Sequence, residues 1–137
     1  NRVDFKSYLE ELMQSQQAMS SHVKCVVESE QVILSLDTAV PLGLIISEMI
    51  TNSIKHAFDS VETPELNVNL ATDGDNFEIV VKDNGIGLPD NFDLEEPSSL
   101  GSEIIMALTE QINARTEYSN NNGAQFTIFF QDQAMAL

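Results

Sequence analysis

The sequence predicts a two-layer α/β (α+β) sandwich, in which a mixed, mostly antiparallel sheet is covered on one face by three helices. Three observations carry that expectation. Apolar residues recur at helical spacing in three stretches, they alternate with period two in the stretches between, and neighbouring strands are joined by short polar turns. The chain has 137 residues, the size of one domain, and its 42% apolar content is enough for a core.

The elements follow in order. Asp4 is placed to cap a helix over about 4–19, with Phe5, Tyr8, Leu9, Leu12 and Met13 at helical spacing and Glu10, Glu11 and Gln14 on the other side. Val23–Val27 and Val32–Leu36 read as two short strands, with Glu28–Glu30 as the turn between them. The longest helix runs from about Pro41 to about Phe58, capped by Asp37 or Thr38, with Pro41 in the first turn, where its missing N–H is tolerated. Leu66, Val68 and Leu70 alternate as a strand, Asp73–Asp75 turns, and Phe77, Ile79 and Val81 return as a hairpin. Asp83 to Ser99 is a long loop with Pro89, Pro97 and the acids Asp90, Asp93, Glu95 and Glu96. Loops of this length in a compact domain are commonly functional lids. With few apolar anchors, Leu88–Ser99 is expected to be mobile without a ligand. A third helix runs from Leu100 to about Asn113, and Thr116–Tyr118 with Gln125–Phe130 form a last hairpin around Asn120–Gly123.

Composition narrows the function. With 22 acidic and 6 basic residues the net charge is −16. Nucleic-acid binding needs clustered cations to displace counterions, and anionic lipid repels such a surface, so neither partner is expected. The longest apolar run, Ala39–Ile50, is broken by Pro41, Gly43, Ser47 and Glu48, short of a membrane span. The single Cys25 permits no internal disulfide, and its apolar neighbours suggest a small core residue. His22 reads as a surface residue. The chain opens on Asn1 without a leader and is expected to be a fragment of a larger protein.

Three constellations carry chemistry. On the long helix, Glu48, Asn52, Lys55 and His56 fall within an arc of about 100°, while Ile46, Ile50, Ile54 and Ala57 point away. Such a stripe is also what an ordinary solvated helix face looks like. However, the rest of the helix is largely apolar, and Ile45 lies within the polar arc, which suggests burial. Carboxylate and amide oxygens suit a hard cation such as Mg²⁺, and lysine suits phosphate. The second constellation is Asp83-Asn-Gly85-Ile-Gly87, directly after a strand. Its carboxylate suits an exocyclic amine, its glycines admit close ligand approach, and the alternative is a plain turn. The third is Leu100-Gly101 opening a helix, where backbone N–H groups favour anions.

In this order, the three resemble the ATP-binding domain of the GHKL superfamily of gyrase, heat-shock chaperone, histidine kinase and mismatch-repair ATPases. Pro41–Phe58 resembles its N box, Asp83–Gly87 its first glycine box, Leu100-Gly101 its second, and Gly123–Phe129 its closing strand. The PLGL…E…TN…KHAF pattern is most similar to HWE-like sensor histidine kinases. The resemblance implies the Bergerat fold over 1–137, with the ATP lid at about 86–100, and a protein histidine kinase that uses ATP and Mg²⁺. It implies that Asn52 ligates the metal with Glu48 beside it holding or polarising metal-bound water, and that Lys55 and His56 contact phosphates. Asp83 would bond the adenine amine, Gly85 and Gly87 would shape that pocket, and Leu100 and Gly101 would meet the phosphates. The lid from Ile86 to Ser99 has no Lys or Arg.

The implied partners are an upstream histidine-bearing dimerisation domain and a downstream response regulator. The implied location is cytoplasmic, free or as part of a membrane-bound sensor. The same boxes also serve an anti-sigma-type serine kinase and a GHKL hydrolase, in which Glu48 activates water. A degenerate nucleotide-sensing module is the non-enzymatic alternative.

Overall fold

The computed structural model describes residues 1–96 and 99–132. Along the chain these form β1 (Arg2–Asp4), α1 (Phe5–Met19), β2 (Lys24–Ser29), β3 (Ile33–Ser35), α2 (Leu36–His56), β4 (Glu65–Asp73), β5 (Asn76–Asp83), α3 (Leu100–Gln111), β6 (Arg115–Asn120) and β7 (Ala124–Phe130). Five strands make one sheet in the order β2-β4-β5-β7-β6, and β1 pairs with β3 apart from it. Only the β2–β4 pair of the large sheet is parallel, so the sheet is mixed and mostly antiparallel. Three helices pack on one face, as the periodicity predicts.

The core lies between the layers. Phe5, Leu9 and Met13 of α1, Leu42, Ile45, Ile46, Met49 and Ile50 of α2, and Ile105 of α3 are buried against the sheet's helix-side residues. Those include Leu66, Val68 and Leu70 of β4, Ile79 and Val81 of β5, and Phe126, Ile128 and Phe130 of β7. Period-two alternation then puts Asp83, two residues beyond Val81, on the same inward face. Asp4 caps α1 by accepting the Ser7 N–H at 3.1 Å, and that bond holds its carboxyl below the usual aspartate range.

Several expectations need correction. The strands near Val23–Val27 and Val32–Leu36 exist, but they do not pair with each other. β2 runs parallel to β4, and the intervening α2 supplies the crossover that parallel pairing requires. β3 pairs instead with β1, a three-residue strand too short to show alternation.

The long helix begins at Leu36, so Pro41 lies inside it. The missing N–H leaves the carbonyl of Asp37, an exposed residue, to solvent. The N-cap is Ser35, but its side chain does not cap. Asp132 braces the helix start from beyond β7: one carboxylate oxygen accepts the Ser35 N–H at 2.6 Å, and the other accepts the hydroxyls of Ser35 at 2.6 Å and Thr38 at 2.8 Å. Cys25 is half-buried rather than fully in the core, and burial pushes its thiol pKa up.

The lid has more anchors than its composition suggests. Leu94 is buried, and Phe92 packs edge-on against Tyr118 at 4.9 Å and Phe126 at 6.0 Å. Pro97 and Ser98 of that loop lie outside the described residues.

Candidate functional site

Asp83 is the most constrained polar group of the site. It ends β5, is 2% exposed, and sits where α2, β5 and β7 converge. Its Oδ1 accepts the Gly85 N–H at 2.9 Å and the Ala124 N–H at 3.0 Å, and its Oδ2 accepts the Ser53 hydroxyl at 2.8 Å. A carboxylate oxygen accepts about two hydrogen bonds, so Oδ1 is filled and Oδ2 keeps one acceptor position. The loop is held closely around it. A Cβ on Gly85 would stand 2.2 Å from the Ala57 carbonyl oxygen, and that oxygen accepts the Ile86 N–H at 2.9 Å. The glycine is what lets the loop lie against the end of α2.

Glu48 and Asn52 lie one turn apart on α2, both half-buried, and face the start of α3. A Cβ on Gly101 would stand 2.9 Å from Glu48 Oε2 and 3.7 Å from Asn52 Oδ1. Residues from two distant sequence motifs are thereby brought together. Ser99 caps α3, its hydroxyl oxygen accepting the Ser102 N–H at 3.1 Å. The first turn of α3, with its amide donors and positive dipole end, stands over a carboxylate and an amide oxygen.

Lys55 and His56 occupy the last turn of α2, exposed, and neither side chain makes a hydrogen bond or ion pair among the described residues. They extend the polar stripe without being drawn into the Glu48–Asn52–Gly101 cluster. Leu100 is 71% exposed at the start of α3. Gly87, at φ +85°, is set against Asn120. His22 is exposed, as expected. Among the described residues no group of three or more His, Cys, Asp or Glu is arranged to hold a metal ion.

Sequence reasoning missed Ser53, Ala124 and Asn120. Ser53 carried a signal, since a polar residue next to Asn52 on the inward side of an apolar helix needs a buried partner. The Ala124 contribution is a backbone N–H, which no side-chain pattern reveals.

The layers, the inward strand-end carboxylate and the glycine-opened helix facing two oxygen donors make a domain of the two-layer α/β type with its polar groups gathered around α2. The family described as histidine kinase-, DNA gyrase B-, and HSP90-like ATPase matches residues 37–134. The chain belongs to that family, and ATP is the nucleotide the family uses.

Blue-light-activated histidine kinase 2 of Erythrobacter litoralis is 29% identical over 93 residues, 67% of this chain and 27% of that protein. The sensor histidine kinase PdtaS of Mycobacterium tuberculosis is 35% identical over 77 residues, 56% of this chain and 15% of that protein. The chain thus spans about a quarter or less of these curated relatives. Among solved structures, the histidine kinase domain of the Erythrobacter litoralis EL346 blue-light activated histidine kinase superposes with a TM-score of 0.88 at 23% identity, over 96% of this chain and 62% of that one. The ATP binding domain of PrrB from Mycobacterium tuberculosis gives 0.80 at 18% identity, over 96% of both chains.

Proposed function

We propose that residues 1–137 form the ATP-binding catalytic domain of a sensor histidine kinase, which transfers the γ-phosphoryl group of ATP to a histidine on a separate dimerisation domain. One observation carries this reading. Consecutive residues of α2 serve two subsites: Ser53 holds Asp83, and Asn52 faces Gly101 beside Glu48. Asp83 takes the adenine amine at its remaining acceptor position, with Gly85 and Gly87 shaping the loop beside it. The phosphates lie toward the start of α3 at Leu100 and Gly101, with Lys55 and His56 as the cations of the same stripe. The sensor histidine kinases among the relatives support transfer to histidine.

The donor set fits magnesium. Mg²⁺ is commonly held by one or two protein oxygens and completed by water and phosphate oxygens, so Asn52 with Glu48 suffices without a larger cage. Bound there, the ion neutralises phosphate charge, which matters in a domain of net charge −16. Phosphoryl transfer asks the protein mainly for positioning and charge stabilisation. Asn52 and Glu48 supply oxygen ligands and hold water, Lys55 supplies positive charge, and the first turn of α3 supplies amide donors.

The histidines of this chain are His22 and His56, so the acceptor is placed on the dimerisation domain, and a response regulator receives the phosphoryl group afterwards. No helix of the described residues is long and apolar enough to cross a membrane. A cytoplasmic location is part of the proposal.

Titration calorimetry with ATP and GTP, with Mg²⁺ and with EDTA, tests the reading. ATP is expected to bind in a magnesium-dependent manner and more tightly than GTP. Equal affinity for the two nucleotides, or no binding, contradicts it.

A further inference from the structure

We propose that Asn120 is a positioning residue, pinning the root of the lid loop to the hairpin that supports Asp83. The proposal rests on the ATP-binding reading of the site. Asn120 ends β6, and its carboxamide engages both backbone groups of Leu88. The Leu88 N–H donates to Asn120 Oδ1 at 2.7 Å, and Asn120 Nδ2 donates to the Leu88 carbonyl at 3.1 Å. A carboxamide has the donor–acceptor layout of a peptide unit, so this contact imitates one bridge of a β ladder where the loop has no strand.

The neighbouring glycine is fitted to it. Gly87 has φ +85°, and a Cβ there would stand 2.8 Å from Asn120 Oδ1, so both conformation and space call for glycine. From Asn120 the connection continues to the adenine subsite. Asn120 pairs across the hairpin with Ala124, whose N–H donates to Asp83 Oδ1 at 3.0 Å. Lys82, the residue before Asp83, donates its ammonium to the Asn121 carbonyl in the same turn.

The next attachment of the loop is to the same hairpin. Phe92 packs on Tyr118 of β6 and Phe126 of β7. The lid root therefore belongs mechanically to β6–β7 and moves with Asp83. On the ATP-binding reading the lid serves the phosphate-bearing part of the ligand, and the three hydrogen bonds that hold Asp83 do not involve the Asn120 side chain, so loss of the clamp should tell on the phosphates rather than on the purine. The hairpin itself does not need the side chain, since β6 and β7 are paired from Arg115↔Phe129 to Asn120↔Ala124 by their backbones.

The test compares the wild-type chain with Asn120→Ala in two measurements. In hydrogen exchange without nucleotide, the Leu88 amide should exchange about tenfold faster in the variant, as expected for losing two solvent-exposed hydrogen bonds, while Phe77–Val81 keeps its protection. In calorimetry, the variant should lose several-fold affinity for Mg-ATP and keep its affinity for adenosine. Unchanged Leu88 exchange overturns the clamp. Equal losses for ATP and adenosine overturn the positioning role, because they mean the side chain merely supports Asp83. A wild-type chain that binds neither ligand overturns the ATP reading and Asn120's role in binding, and Leu88 exchange alone then decides the clamp.

Discussion

Ser53 donates its hydroxyl to Asp83 Oδ2 at 2.8 Å, joining the middle of the helical stripe to the carboxylate at the end of β5 across 30 residues of sequence. The bond fixes the orientation of a carboxylate whose other oxygen is already held by two backbone amides, and it leaves one acceptor position open. Adenine selectivity should therefore follow the state of this one group.

Asp83→Asn tests that dependence with little change of shape. Its oxygen still accepts the Gly85 and Ala124 amides, but an NH₂ now faces both Ser53 and the purine amine. ATP affinity should fall roughly 10- to 100-fold, the worth of a hydrogen bond to a charged group, and the preference over GTP should shrink. Calorimetry with both nucleotides reads the outcome. Asp83→Ala should also lower stability, because it leaves a buried amide, a part-buried amide and a buried hydroxyl without their acceptor.

Asn52→Ala should separate metal dependence from folding. Asn52 is half-buried on the polar stripe and outside the core, so unfolding free energy should stay within about 0.5 kcal/mol of wild type. The gain in ATP affinity on adding Mg²⁺ should largely disappear. Denaturant titration and calorimetry with and without EDTA check both halves.

Gly101→Ala should oppose stability to activity. Gly101 is the second residue of α3, in the first turn, where alanine gains only part of the up to about 1 kcal/mol it holds over glycine in a helix interior, and the crowded atom, Glu48 Oε2, ends a flexible side chain that is able to move. The variant should melt at or slightly above the wild-type temperature, yet phosphoryl transfer should drop at least several-fold as Glu48 is displaced beside Asn52. A variant with full activity would show that the Gly101–Glu48 contact has no part in the site.

Asp132→Ala should destabilise the domain without touching the nucleotide site. It removes the acceptor for the Ser35 N–H and for the Ser35 and Thr38 hydroxyls at a partly buried helix start. The expected cost is about 2–4 kcal/mol, given the charge-assisted bonds lost and the donors left buried. Urea unfolding measures it, and ATP affinity of the folded fraction should be unchanged.

What was legible in the sequence was local. Ile79 and Val81 fix the phase that turns Asp83 inward, and the i, i+4 spacing of Glu48 and Asn52 puts both on one helix face. Leu100-Gly101 marks the opening of α3. What was hidden depended on contacts distant in sequence. Thr38 and Asp37 satisfied the local rule for a cap near Pro41, but the N-cap is Ser35, and the group that braces it is Asp132, which no local rule reaches. The apolar runs Val23–Val27 and Val32–Leu36 marked strands correctly, but the short polar turn between them pointed to pairing with each other, whereas their partners are β4 and β1. Asn120 lay in an Asn-rich turn, where polarity is expected anyway, and only the fold brings Leu88 to it.

The most direct test of the central proposal is phosphoryl transfer in trans. The 137-residue chain would be incubated with γ-labelled Mg-ATP and the histidine-bearing dimerisation domain that the proposal calls for. Label is expected on that partner, acid-labile and alkali-stable as a phosphoramidate is, with no label on the chain itself and slow ATP turnover in the partner's absence. Acid-stable label would point to a serine kinase, and rapid hydrolysis without a phosphoprotein to a hydrolase with Glu48 activating water. Either result would contradict transfer to histidine.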